Sequence, residues 1–126
     1  LDMVNFGARD TVPPQFESRN LYVHNPSVTL MRTTPDECAE LGRQIALKLS
    51  AALGPVAFFI PLRGVSAISG EGGPFYDPAA DEALFGALRK NMGSNVEMHE
   101  VDAQINDPEF AQAMAARLDE LLKVRR

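Results

Sequence analysis

The stretch Pro55–Pro78, PVAFFIPLRGVSAISGEGGPFYDP, decides how this chain is read. Its opening, PVAFFI, is apolar at successive as well as alternate positions, the pattern of a parallel strand covered by helices on both faces. Its close, Asp77 followed by Pro78, is a helix N-cap with proline at the first helical position. Leu84, Phe85, Leu88 and Met92 then recur on one stripe, as in a helix with a buried face. Between strand and helix lies a segment far longer than the usual connection of about two to six residues. It carries Arg63, Gly64, Ser66, Ser69, Gly70, Gly72 and Gly73. Loops of that length in α/β domains are commonly functional.

Working outward, the same start signal occurs twice more. Thr34, Pro35 and Glu37 predict a capping box and a helix reaching about Leu53, where Gly54 stops it. Asp107 and Pro108 predict a third helix with Phe110, Met114, Leu118 and Leu121 facing inward, closed by the cationic tail KVRR. Short β-like runs lie at 2–6, 21–24, 55–60 and 95–101, and residues 8–20 read as an irregular connection. The alternation of strand and helix predicts an α/β domain spanning 1–126, a three-layer Rossmann-like arrangement with a mostly parallel sheet.

The totals narrow the function classes. A net charge of −5 and a pI near 4.9 oppose binding to a nucleic-acid backbone, which needs clustered Lys and Arg. No apolar run approaches a membrane span. A single cysteine, Cys38, cannot form an internal disulfide, and the expected compartment is the cytoplasm. The chain opens on Leu1 without an initiator methionine, so it reads as a piece of a longer protein.

In a parallel α/β sheet, ligands gather beyond the carboxyl ends of the strands. The loops expected there carry His24, Arg32, Thr33 and Thr34 after the second strand, and Arg63, Gly64 and Ser66 after the third. Asp102 and Asn106 follow the fourth. Helix N-termini offer unpaired amides and a positive dipole end, and two guanidinium groups suit a phosphate or carboxylate. The candidate anion-binding residues are therefore Arg32, Thr33, Thr34, Arg63, Gly64, Ser66 and Asn106, with Asp102 or Asn106 toward a ribose or a metal-bound water. The candidate acid–base groups are His24 and Asp102. Thr34, Asp77 and Asp107 also have a plain role as helix caps.

Several motifs fall short. GEGG is not G-x-G-x-x-G, and no P-loop signature occurs. GVSAI lacks the last glycine of a nucleophile elbow, and His99 sits inside a strand, against a Ser66–Asp77–His99 triad. Two histidines and Cys38 on separate elements make no metal site. Phe75 and Tyr76 either stack on a ligand or pin the long loop.

The motifs LDMVNFG, RNLYVHNPSVTLMRTTPDE, PLRGVSAI, GGPFYDPAAD and INDPEF, in this order, resemble the C-terminal domain of a two-domain family. It contains the plant tobamovirus-resistance ATP-binding protein and bacterial homologues without a settled reaction. The resemblance implies a Rossmann-like domain joined to an N-terminal domain of the same protein, homo-oligomer formation as in the dimeric plant member, and ATP, with magnesium, as ligand. Two other readings stand beside it. One is a hydrolase or lyase acting on a small anionic metabolite, and the other is an interdomain or dimerisation module.

Overall fold

The computed structural model describes residues 1–124; Arg125 and Arg126, the last two residues of the expected cationic tail, lie outside the described residues. Three helices form where their caps predict them: α1 (Pro35–Ser50), α2 (Pro78–Asn91) and α3 (Pro108–Val124). The Glu37 amide donates to the Thr34 hydroxyl (3.3 Å) and the Thr34 amide donates to the Glu37 carboxylate (2.8 Å). That reciprocal box satisfies two donors that a helix start leaves orphaned. Asp77 accepts from the Ala80 amide at 3.0 Å. α1 ends at Ser50 rather than near Leu53, and Leu53 is wholly exposed.

The five strands are β1 (Met3–Phe6), β2 (Leu21–Asn25), β3 (Val28–Arg32), β4 (Val56–Pro61) and β5 (Val96–Val101). β3 corrects the sequence reading, which placed its residues in a strand-to-helix loop. The Asn25 side chain accepts from the Ser27 amide (2.9 Å) and closes a turn, so β2 and β3 form a hairpin. β3 lies between β1 and β2, antiparallel to both, with Met3 opposite Arg32 and Leu21 opposite Met31. β4 and β5 form a separate parallel pair, in register from Val56 with Val96 to Pro61 with Val101. The chain is therefore a mixed α/β domain with an antiparallel three-stranded sheet and a parallel two-stranded one, not a mostly parallel sheet.

Helices cover both faces of β4–β5. Phe58, Ile60 and Met98 pack with Cys38 of α1 and Ala80, Leu84, Phe85 and Leu88 of α2 in the main apolar cluster. On the opposite face Phe59 stacks on His99 (4.4 Å) and meets the edge of Phe110 of α3 (6.3 Å). α1 and α2 touch backbone to backbone at Gly42. A Cβ there would lie 2.6 Å from the Leu84 carbonyl oxygen and 2.8 Å from the Ala87 Cβ, inside van der Waals contact. Residues 8–20 form two single 3₁₀ turns that bring Phe16 to 5.7 Å from Phe6 and bury Val12. Among the described residues no helix is long and apolar enough to cross a membrane.

Candidate functional site

The long loop after β4 is folded back on the domain by its own hydrogen bonds. The Leu62 amide donates to Val101 (2.9 Å) and the Arg63 amide to Ala103 (3.0 Å), carrying the β4–β5 pairing past the strand ends. Gly64 then turns with φ at +149°, a conformation that L side chains rarely adopt, and its carbonyl accepts from the Ile105 amide at 3.0 Å. The Ser69 hydroxyl accepts from the amides of Val65 and Ser66, both at 3.0 Å. Phe75 is fully buried and its amide donates to Ile68 (2.9 Å), which anchors the returning limb. Phe75 is thus the pin that fastens the loop to the body.

This loop, the start of α2 and the segment after β5 enclose an open cleft of about 820 Å³. Its walls are Leu62, Arg63, Glu71 and Tyr76, then Pro78, Asp81, Glu82 and Phe85 of α2, then Gln104 and Asp107. It sits at the carboxyl ends of the parallel strands, where α/β domains place ligands. Four carboxylates, on Glu71, Asp81, Glu82 and Asp107, face one guanidinium. That guanidinium grips Asp102 in a fork, Nε to Oδ1 at 2.7 Å and Nη2 to Oδ2 at 2.9 Å. The hydrogen bonds and charge of Arg63 hold the Asp102 carboxyl below its ordinary value. A general base works best when its pKa lies near the operating pH, so this ion pair opposes Asp102 in that role. Both partners are exposed, 66% and 72%, and such a pair is readily exchanged for a ligand contact.

Arg32 is placed differently. It ends β3, only 3% exposed, with every nitrogen engaged. Nε donates to the Phe75 carbonyl (2.9 Å), Nη1 to the Thr33 hydroxyl (3.2 Å), and Nη2 to the Asp81 carboxylate (2.6 Å). It reaches the cleft only through Asp81. Burial pushes the Asp81 carboxyl above its ordinary value, with Asp2 and Asp77 adding to the push, while Arg32 opposes it. Arg32 therefore joins the antiparallel sheet to α2, a packing role that the sequence reading did not assign. It does not meet Arg63 at a common rim.

The other candidates divide as follows. Thr33 is buried, donating to the Leu1 carbonyl (3.0 Å) and lying 3.1 Å from the Cys38 sulfur. Thr34 is the N-cap of α1. Gly64 shapes the loop behind Arg63. Ser66 donates to the Asp2 carboxylate at 2.6 Å, and His99 bonds Glu97 (2.6 Å), so these two residues share no relay. His24 is exposed on β2 and does not line the cleft; Asn106 is exposed beside Asp107 without lining it. Glu71, Asp81, Glu82 and Gln104 line the cleft and were not singled out as site residues, while Tyr76, weighed as a stacking ring, stands on its wall. Asp81 and Glu82 lie in the first turns of α2, and a search of that helix start for polar residues finds them. Among the described residues no three His, Cys, Asp or Glu side chains gather closely enough to hold a metal ion. A cation there would have to arrive with a ligand that supplies further oxygens.

Residues 1–122 match the family described as "Uncharacterised protein family (UPF0261) C-terminal domain". A UPF0261 protein of Rhizobium meliloti (strain 1021) is 55% identical over 118 residues, covering 92% of this chain and 30% of the relative. One from Clostridium tetani is 50% identical over 124 residues, 98% of this chain and 31% of the relative. The ToMV resistance protein Tm-1(GCR237) of Solanum lycopersicum is 41% identical over 116 residues, 90% of this chain and 15% of the relative. The chain thus spans about a third, or less, of the length of the curated relatives it matches. It belongs to the UPF0261 family, matching that family's C-terminal domain.

Proposed function

We propose that the chain is a ligand-binding domain of a longer cytoplasmic protein, and that its cleft takes the phosphates of a nucleotide, ATP, carried as the magnesium complex. One observation carries the reading. A preformed cleft of about 820 Å³ lies at the carboxyl ends of β4 and β5 with an exposed guanidinium, Arg63, at its mouth. Pockets of about 300–1,000 Å³ hold ligands of nucleotide size. The excess of carboxylates repels a bare polyphosphate, whereas magnesium cancels much of that charge. Arg63 exchanges Asp102 for a phosphate in a fork of similar geometry. Glu71 and Asp107 face hydroxyls or metal-bound water, and Tyr76, half-exposed on the wall, offers a ring for stacking. β4–β5, with α1 and α2 on one face and α3 on the other, would form part of a three-layer Rossmann-like body completed by the N-terminal domain. Homo-oligomer formation belongs to the same reading.

Calorimetric titration of the longer protein with ATP and magnesium tests it. Binding that requires magnesium and falls at least about tenfold in Arg63→Ala, a loss of about 1.4 kcal/mol, agrees with the proposal. Equal affinity in the variant, or equal binding with magnesium chelated, refutes it.

A further inference from the structure

We infer that the free edge of β4 is a docking edge, completed by a strand from polypeptide that precedes Leu1 in a longer protein. β4 pairs only with β5, so a two-stranded parallel sheet stands by itself in the described residues. Parallel sheets occur almost only as larger sheets with covered strands, and an isolated pair is marginal at best.

The two edges of this sheet are built differently. β5, VEMHEV, exposes the carboxylates of Glu97 and Glu100, the charges with which edge strands discourage further pairing. β4, VAFFIP, carries no charge and no irregularity in its register, yet Val56, Ala57, Phe58 and Phe59 are only half-buried. An apolar, unprotected and incompletely covered strand is what a sheet shows where its next strand is supplied from elsewhere.

The direction of the free groups follows from one bond. Leu62 donates its amide to Val101 of β5. Alternation with a period of two then turns Ile60 and Phe58 toward β5, and Ala57 and Phe59 toward the open side. Pro61, also on the open side, has no N–H and ends the ladder there.

The occupant is a preceding segment of the same polypeptide. This domain is 30% and 31% of two bacterial relatives, and the matched family region is their C-terminal domain. Those relatives therefore carry ample chain that could supply a strand.

Amide hydrogen exchange on the polypeptide extended to the full length of its relatives tests the assignment. The Ala57 and Phe59 amides should exchange within about tenfold of the Phe58 and Ile60 amides, as partners in one ladder. Exchange at Ala57 and Phe59 that is faster by more than about a hundredfold overturns the inference. So does protection that disappears when the protein is diluted to a monomer, because the strand would then come from a second copy. Ala57→Pro supplies the independent check. Pairing from the same chain predicts loss of protection at Phe59 with the β4–β5 ladder retained, and unchanged protection at Phe59 counts against it.

Discussion

Replacing Arg32 separates a residue that builds the domain from one that waits for a ligand. Arg32→Ala leaves the Asp81 carboxylate, 13% exposed, without its counter-charge at 2.6 Å and takes a donor from the Phe75 carbonyl. Breaking a buried ion pair from one side costs about 3–5 kcal/mol. Domains have about 5–15 kcal/mol in total, so the variant should retain only part of its stability. At about 4 °C per kcal/mol for a chain of this size, the melting temperature should fall by roughly 12–20 °C. Urea denaturation followed by circular dichroism measures the loss. Arg32→Met combined with Asp81→Leu removes both charges and fills the space, and should recover most of it. An Arg32→Ala variant within about 1 kcal/mol of the parent, combined with lost ligand binding, would refute the packing role and return Arg32 to the site.

Two further outcomes follow from the helices and the charges. Gly42→Ala should destabilise by up to about 2 kcal/mol: overpacking costs about 1–3 and improved helix propensity returns about 1. A higher melting temperature for this variant would show that α1 and α2 can separate cheaply. As the pH is lowered, carbon-detected NMR should find Asp81 protonating above the ordinary aspartate value, with Glu37, Glu97 and Asp102 below theirs and Glu40 at about 2. The sign differs between the two groups. The lowered carboxyls stabilise the fold above their unfolded pKa, and that contribution is lost as the pH falls through their folded values. The raised pKa of Asp81 opposes stability as the pH rises from its unfolded pKa through its folded one. Asp81 titrating with the others would show that burial does not dominate its environment.

The helices were legible because their signals are local. Thr34 with Glu37, Asp77 with Pro78, and Asp107 with Pro108 each announce a helix within a few residues, and the cap bonds of Thr34 and Asp77 form as expected. β3 was not legible, because Asn25-Pro26-Ser27 reads equally as a loop and as a hairpin turn. VTLMR is too short for its alternation to decide between them. That one strand changes the meaning of Arg32. An arginine in a loop suggests a ligand, whereas at the end of a central strand it faces Asp81, a partner 49 positions away that no local pattern reveals. Arg63 kept its predicted place because the turn at Gly64 and the pairing of Leu62 with Val101 are extensions of β4 and β5. The acidity of the cleft arises where α2, the long loop and the segment after β5 converge. It is a property of tertiary arrangement, invisible in any one stretch.

Backbone amide shifts of the longer protein, followed by NMR as ATP and magnesium are added, test the placement of the site most directly. Saturable changes concentrated at Leu62–Arg63, Gly70–Gly72 and Gln104–Asp107 are the predicted result. Changes confined to Arg32–Thr34 and the hairpin, or no saturable change in the cleft, would contradict it.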